Sequence, residues 1–484
     1  MGSAHAQQVP STFFALDINN DDALLCCTSQ SCTIPDPWPS TVTSPYYPVY
    51  FSTFRAHDSG GKQGWQNGML WSDIEKGNNT YDWTSFDPWF NTMTQYGQKM
   101  MFTAYWTPSW AVPDDATCTN TLNRSRGGCL LPGDVDSGDT TWTTFISALL
   151  SHVQGLNGGT GLSNFGYLEV WNEPDQAVEC DPNYTGLFNQ CLHSRLTKMT
   201  QDAHTIVQSY NSMYSANIQV ISPPVTSGAV EPGGYLSKLL ADGVANYADI
   251  IGFHSYTQTA DYDFIDVLQD VTSLVSQYTT KPVYNTEGSW LMANMLHADG
   301  SSTDIGCYRD QTDGQECLNE QAAWLGTEYL IQAYYATASP NTLAGYAFYT
   351  WDSGPNNKDN DVSALWDTTW GFLQSSTDNL TPAGVAYTIV YQWLLGATPN
   401  GACTGGVAPA TWTCNFSNSG FGQARAVWYS CPNNEYFKLP PGSGGCSSTY
   451  STNYTYYRDL AGNKNQVQNN TVTITPSPIL LSNQ

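Results

Sequence analysis

The residues with the strongest chemical meaning are Trp171-Asn172-Glu173-Pro174, which close the apolar run Tyr167-Leu168-Glu169-Val170. A β-strand that ends this way sets a carboxylic acid at its tip, with a carboxamide beside it. A second acid stands in a matching context 114 residues on. There Lys281-Pro282-Val283-Tyr284-Asn285-Thr286-Glu287-Gly288 reads as a short buried strand entered through Pro and left through Gly, with Glu287 at its C-terminal end. Two carboxyl groups on separate strand ends suit the cleavage of a glycosidic bond. One protonates the leaving oxygen, the other attacks the sugar, and the amide of Asn172 holds the adjacent hydroxyl.

Other strand ends supply candidate partners. Gly252-Phe253-His254-Ser255-Tyr256 closes one strand; Tyr256 can donate a hydrogen bond that keeps a nucleophile ionised. His254 either lines the sugar site or is a satisfied buried histidine. Arg55-Ala56-His57-Asp58 closes another strand. An Arg55 beneath two carboxylates lowers the nucleophile's pKa, the alternative being a structural ion pair, and His57 beside it joins the substrate-contacting candidates. Trp106, Trp110 and Trp351 follow strands and offer flat apolar platforms for sugar rings, although aromatics also fill cores. Glu169 is read as structural. His204 and His297 show no ligand spacing with the other histidines, and the expected chemistry needs neither metal nor cofactor.

Eight strand candidates position these residues: Phe13–Asp17, Val49–Arg55, Lys99–Tyr105, Tyr167–Trp171, Ile218–Ser222, Ile250–His254, Pro282–Glu287 and Gly345–Thr350. Helical apolar spacing falls between them, as in Phe86/Trp89/Phe90/Met93, Trp142/Phe145/Ile146/Leu149/Val153, Leu196/Met199/Ala203/Ile206/Tyr210, Phe264/Leu268/Val271/Val275 and Ala323/Trp324/Thr327/Leu330/Ile331/Tyr334. A last helix opens at Thr381-Pro382 and ends at Gly396. Alternation of this kind predicts a parallel sheet, and eight rounds predict closure into a (β/α)8 TIM barrel. At roughly 30–40 residues per unit, three units separate Glu173 from Glu287, which places them on strands 4 and 7 at the face that carries active sites. Beyond Gly396 the helical period ends and Gly, Cys, Ser and Thr dominate. The expected division is therefore a catalytic barrel over residues 1–396 and a small β-sandwich accessory domain over 397–484. The final run from Thr471 predicts an edge strand that tolerates proline.

The 484 residues can bury a large core, and no apolar run approaches the length of a membrane span. With 16 basic against 42 acidic residues the net charge is −26, which repels nucleic acid and polyanionic glycans and equally serves the solubility of an extracellular protein. Carbohydrate is the expected partner. The 13 cysteines fall into close neighbours, Cys118/Cys129, Cys180/Cys191, Cys307/Cys317, Cys403/Cys414 and Cys431/Cys446, with Cys26, Cys27 and Cys32 clustered near the start. These spacings read as local staples of a secreted enzyme, extracellular or periplasmic, with one thiol left over. The opening residues lack an apolar leader core, although Ala4-His5-Ala6 resembles a cleavage site.

Taken together, the Trp-Asn-Glu-Pro strand, the Gly-Phe-His-Ser-Tyr strand and the Thr286-Glu287 strand resemble the clan A glycoside hydrolases. Arg55-Ala56-His57, Tyr81-Asp82-Trp83, Gly97-Gln98-Lys99 and Pro108-Ser109-Trp110 look most like glycoside hydrolase family 39. The resemblance covers about residues 50–350. It implies a retaining hydrolase with Glu173 as acid/base, Glu287 as nucleophile and Asn172 on the 2-hydroxyl. Gly288-Ser289-Trp290, and the dense cysteines, depart from many family members. An endo-acting clan A hydrolase of another family and a non-catalytic carbohydrate-binding barrel are the alternatives.

Overall fold

A computed structural model describes residues 7–18, 51–57, 69–95, 97–112, 131–176, 193–257, 262–290, 314–338, 340–349, 366–367, 379–380, 382–431 and 446–484. Eight strands alternate with helices: β1 (Phe14–Ile18), β2 (Thr53–Ala56), β3 (Lys99–Ala104), β4 (Phe165–Val170), β5 (Gln219–Ile221), β6 (Ile251–Thr257), β7 (Val283–Trp290) and β8 (Leu343–Phe348). All their pairings are parallel and run β5-β4-β3-β2-β1-β8-β7-β6. Parallel bridges Ile221–Ile250 and Val225–Phe253 join β5 to β6, so the sheet closes on itself. The fold is the (β/α)8 barrel expected.

Among the described residues, the α-helices longer than one turn are α1 (Phe86–Gln95), α2 (Thr140–Gly155), α3 (His193–Tyr214), α4 (Tyr235–Ala241), α5 (Tyr262–Ser276), α6 (Gly314–Tyr335) and α7 (Pro382–Leu394). Each apolar stripe seen in the sequence faces inward, as with buried Trp142, Phe145, Leu149 and Val153 on α2. The two-turn α4 has too few residues to show a period, which is why pattern reading passes over it.

The strands are buried on both faces and use them differently. Phe14, Leu16, Phe54, Phe102, Leu168 and Val170 pack in the large core that includes the helices. Ala15, Met101, Tyr167, Ile221, Tyr284 and Ala347 form a second cluster inside the barrel. Tyr167 and Tyr284 meet there edge to face, 5.7 Å between ring centres. The ring of Tyr284 needs Gly345 on β8: a Cβ at that position would lie 2.4 Å from its Cζ. This plug is the floor on which the polar residues stand.

Beyond the barrel, Ala410–Asn418 and Gly422–Ser430 form a long antiparallel hairpin, and Ile479–Ser482 lies between the second of these strands and Tyr456–Arg458. Val427, Ile479 and Leu481 of this sheet pack on Val472 and Ile474 of a second, two-stranded sheet, giving a small sandwich. The other face of the hairpin, with stacked Trp412 and Trp428, joins the barrel's core. The predicted single edge strand from Thr471 is instead two strands, Thr471–Ile474 and Ile479–Ser482. Pro476 and Pro478 have no N–H to give a ladder and fall in the gap, which frees the second strand to lie inside its sheet.

Disulfides Cys403–Cys414 and Cys431–Cys446 form as the spacing predicts. The other proposed pairings and the Cys26/Cys27/Cys32 cluster lie wholly or partly outside the described residues. Among the described residues, no helix is long and apolar enough to cross a membrane.

Candidate active site

Two residues further along each strand from the level of the apolar plug, the barrel interior turns polar. Asp17 on β1, Arg55 on β2, Thr103 on β3 and Glu169 on β4 lie in this layer; none is more than 1 % exposed. Arg55 is its centre. Nη1 donates to Asp17 Oδ2 at 2.7 Å and to Glu287 Oε2 at 2.6 Å, while Nη2 donates to Glu169 Oε1 at 2.6 Å and to Asn172 Oδ1 at 2.7 Å. Thr103 gives Glu169 a further hydrogen bond at 2.9 Å. Arg55 was expected beneath two catalytic carboxylates. It touches Glu287, and its other acidic partners are Asp17 and Glu169. Asp17 carries no role in the sequence reading, although an acid inside an apolar strand signals a buried partner.

Strand parity alone would turn Glu287 the wrong way. Tyr284 faces the barrel interior, so Thr286 would follow it inward and Glu287 would point out to the helices. The ladder corrects this. Phe253 pairs with Asn285 but its neighbour His254 pairs with Glu287, so β7 carries one extra residue at Thr286. The pairing with β8 shows the same shift, Tyr346 with Asn285 and Phe348 with Gly288. A bulge flips the parity beyond it and re-aims the side chain. Glu287 therefore sits inside β7, three residues before its end at Trp290, not at the strand tip.

Glu173 arrives by another route. The β3–β4 ladder stops at Val170, and the chain turns through left-handed backbone at Trp171 (φ 66°) and Glu173 (φ 37°). Such angles cost a non-glycine residue on the order of 1 kcal/mol or more, offset here by the burial of Trp171 and by its N–H donating to the Ala104 carbonyl at 2.9 Å. Glu173 thus lies three residues past the strand, and its Oε1 meets His254 Nδ1 at 2.7 Å.

The remaining candidates divide. Tyr256 donates to Glu287 Oε1 at 2.5 Å. His57 stacks on Tyr105, and its Nδ1 is 3.9 Å from Glu287 Oε2; His254 Nδ1 is 3.8 Å from the same oxygen. Trp106 is 2 % exposed and belongs to the core, so it does not present the open ring face expected of a sugar platform. Trp110 is 37 % exposed, with its ring N–H donating to the Glu75 carbonyl oxygen at 3.3 Å. Trp351 lies outside the described residues.

Electrostatics separate the two glutamates. Burial pushes Glu287 up, but the charges of His254, Arg55 and His57 and the Tyr256 hydroxyl outweigh it and bring its pKa down to about 2. Burial likewise pushes Glu173 up; contact with His254 opposes this, Glu287 and Asp175 reinforce it, and the net shift is upward. Oxygens of Glu173 and Glu287 and a ring nitrogen of His254 all lie within 4.8 Å of one another, as do donor atoms of Asp17, His57 and Glu287. Arg55 already supplies a cation to the second set, since it donates to both Asp17 and Glu287. One carboxylate with its pKa lowered and one carboxyl with its pKa raised, an oxygen of each within 4.8 Å of the other, can attack and protonate the same bond.

Residues 44–229 match the model of the glycoside hydrolase 123 catalytic domain. Solved glycoside hydrolases share the fold along nearly the whole chain. A family 39 glycoside hydrolase from Bacteroides cellulosilyticus aligns with a TM-score of 0.60 at 14% identity, covering 99% of this chain and 82% of its own. The family 39 enzyme of Xanthomonas axonopodis pv. citri gives 0.58 at 15%, covering 99% and 95%. A monomeric β-xylosidase from Caulobacter crescentus gives 0.56 at 14%, covering 98% and 97%. The family-model match supports a glycosidase, and the solved structures show the shared fold. No curated protein matches the chain. The sequence resemblance points to family 39, whereas the family model that matches is that of family 123.

Proposed function

We propose that this glycosidase is a retaining hydrolase of neutral glycans, with Glu287 as nucleophile and Glu173 as acid/base. The single observation that carries the reading is the separation of the two carboxyl groups, whose nearest donor atoms lie within 4.8 Å. Retention needs about 5–5.5 Å, whereas inversion needs about 6.5–9.5 Å to admit a water molecule. Ionised Glu287 attacks the anomeric carbon as Glu173 gives its proton to the leaving oxygen. Glu173, now a carboxylate, then takes a proton from the water that breaks the glycosyl–enzyme ester. Loss of its proton is eased by His254, whose ring N–H can donate to the new charge. Asn172 accepts from Arg55 through Oδ1, which leaves its NH2 group to donate to the 2-hydroxyl.

The acidic surface disfavours uronate-rich or sulfated chains, and the two disulfides favour a protein working outside the cytoplasm. We assign catalysis to residues 1–396 and an accessory role to 397–484. The test is a panel of dinitrophenyl 2-deoxy-2-fluoroglycosides, beginning with the β-xyloside because a β-xylosidase is among the structural neighbours. The inhibitor that inactivates should leave its sugar esterified to Glu287, and the matching natural glycoside should release a product of retained anomeric configuration. A label on another residue, or inverted product, would overturn the assignment.

A further inference from the structure

Behind the nucleophile lies a second acid with no part in the mechanism above. Glu328 on α6 is fully buried, and its Oε2 is 2.5 Å from the hydroxyl of Tyr346 on β8. The same hydroxyl is 3.0 Å from the carbonyl oxygen of Gly288, the residue after Glu287. A phenol has one proton to give. The Gly288 carbonyl can only accept, as it also does from the Tyr349 N–H at 2.9 Å. If Glu328 were a carboxylate it would take the phenol proton, and two oxygens would face each other at 3.0 Å with no hydrogen between them. If Glu328 is a neutral acid, its own proton goes to the phenol and the phenol's proton goes to Gly288, so both contacts are hydrogen bonds.

Gly288 is where such a strut acts most directly. A Cβ there would lie 2.7 Å from the Ser255 carbonyl oxygen, 2.9 Å from Ser255 Oγ and 3.1 Å from a ring carbon of Tyr346. The peptide is clamped between β6 and β8, immediately beyond the bulge that turns Glu287 inward.

We propose that Glu328 is a neutral carboxylic acid and a positioning residue, holding the nucleophile's strand through Tyr346 and the Gly288 carbonyl. This rests on Glu287 being the nucleophile. Among the described residues, the titratable groups around Glu328 are tyrosines: Tyr346 on β8 and Tyr329 on α6, with Tyr284 on β7 and Tyr387 on α7 beyond them. Burial pushes each of them well above the ordinary phenol range, so they stay neutral and lend Glu328 no counter-charge. Burial also raises Glu328, against the opposing bond from Tyr346, to about 8. Above that pH the carboxylate reclaims the phenol proton and the strut is lost.

Two measurements on the full chain test this. The infrared difference between wild type and Glu328→Gln near pH 7 should contain a carboxylic-acid C=O band that disappears as pH rises through about 8. Absence of the band overturns the neutral acid whatever the enzyme's reaction. The second uses a dinitrophenyl glycoside, whose leaving group needs no proton, in a Glu173→Ala background, so that the dinitrophenolate burst reports attack by Glu287 alone. The burst rate should fall about tenfold between pH 6 and pH 9 as Glu328 ionises. It should stay level in Glu173→Ala/Glu328→Gln, and in Glu173→Ala/Tyr346→Phe it should be lower throughout and level. An equal decline in all three, with sugar still trapped on Glu287, overturns the positioning role and leaves double displacement standing. Trapping on another residue while the infrared band is present overturns double displacement, and the positioning role with it.

Discussion

The two carboxyl groups proposed as catalytic meet at one site and are built by opposite means. Glu287 lies within a strand, 7 % exposed, with Arg55 on one oxygen and Tyr256 on the other. Glu173 lies beyond a strand's end in left-handed backbone, with His254 against one oxygen. The strand interior supplies donors and a fixed positive charge, which hold an anion. The strand exit supplies burial that contact with His254 only partly offsets, which favours the protonated form. The direction of each pKa shift therefore follows from depth along the barrel axis, and each half of the comparison can be broken separately.

The largest effects should come from the carboxyls themselves. Glu287→Gln removes the nucleophile and should lower kcat by at least about 10^4-fold for every substrate. Glu173→Gln should cost about 10^2–10^4-fold on alkyl or sugar leaving groups, and far less in the first step on a dinitrophenyl glycoside. Burst kinetics on both leaving groups would separate the roles; equal losses on both in the two variants would merge them. Next comes the charge under Glu287. Arg55→Ala strands Asp17, Glu169 and Glu287 together in the barrel, and removing one partner of so buried a pair costs about 3–5 kcal/mol. Denaturant unfolding would measure it, and surviving activity should lose its acidic limb at higher pH, because Glu287 no longer ionises so readily. Tyr256→Phe isolates one hydrogen bond to a charged group, about 1.5–3 kcal/mol. The pKa of Glu287 should rise by about one to two units, seen as the acidic limb of kcat/KM moving up by that amount while the alkaline limb stays in place.

Much of this was legible in the chain. All eight strands, and the helices long enough to show a period, follow from apolar runs and 3.6-residue spacing, because burial enforces those patterns. Glu173 announces itself through its neighbours in Trp-Asn-Glu-Pro, and Tyr256 through its strand. The bulge at Thr286 left no mark: it is a register shift between three strands, and the local sequence would serve a regular strand equally well. Asp17 escaped, and Glu169 was read as structural without its partner, because both matter by reaching Arg55 from β1 and β4, a meeting only barrel closure creates. Trp106 misled because an aromatic after a strand can face either the cavity or the core, and backbone in the left-handed region (φ 66°) decided for the core.

The smallest predicted effect is on the fold's own response to acid and base, and there the two carboxyls should oppose each other. Glu287 binds its proton more weakly in the folded state, about 2, than in the unfolded chain, near 4.5. Between those values the unfolded chain holds more protons, so this group's stabilisation is present above pH 4.5 and is lost as pH falls toward 2. Glu173 binds its proton more tightly when folded, its pKa being raised above 4.5. Its contribution is fully present below pH 4.5 and is lost as pH rises through the raised value. Glu287→Gln should therefore flatten the acid side of the melting-temperature profile, and Glu173→Gln should flatten the decline above pH 4.5. If both variants changed the same side, the two carboxyls would share one protonation behaviour, and their division into anion and acid would not hold.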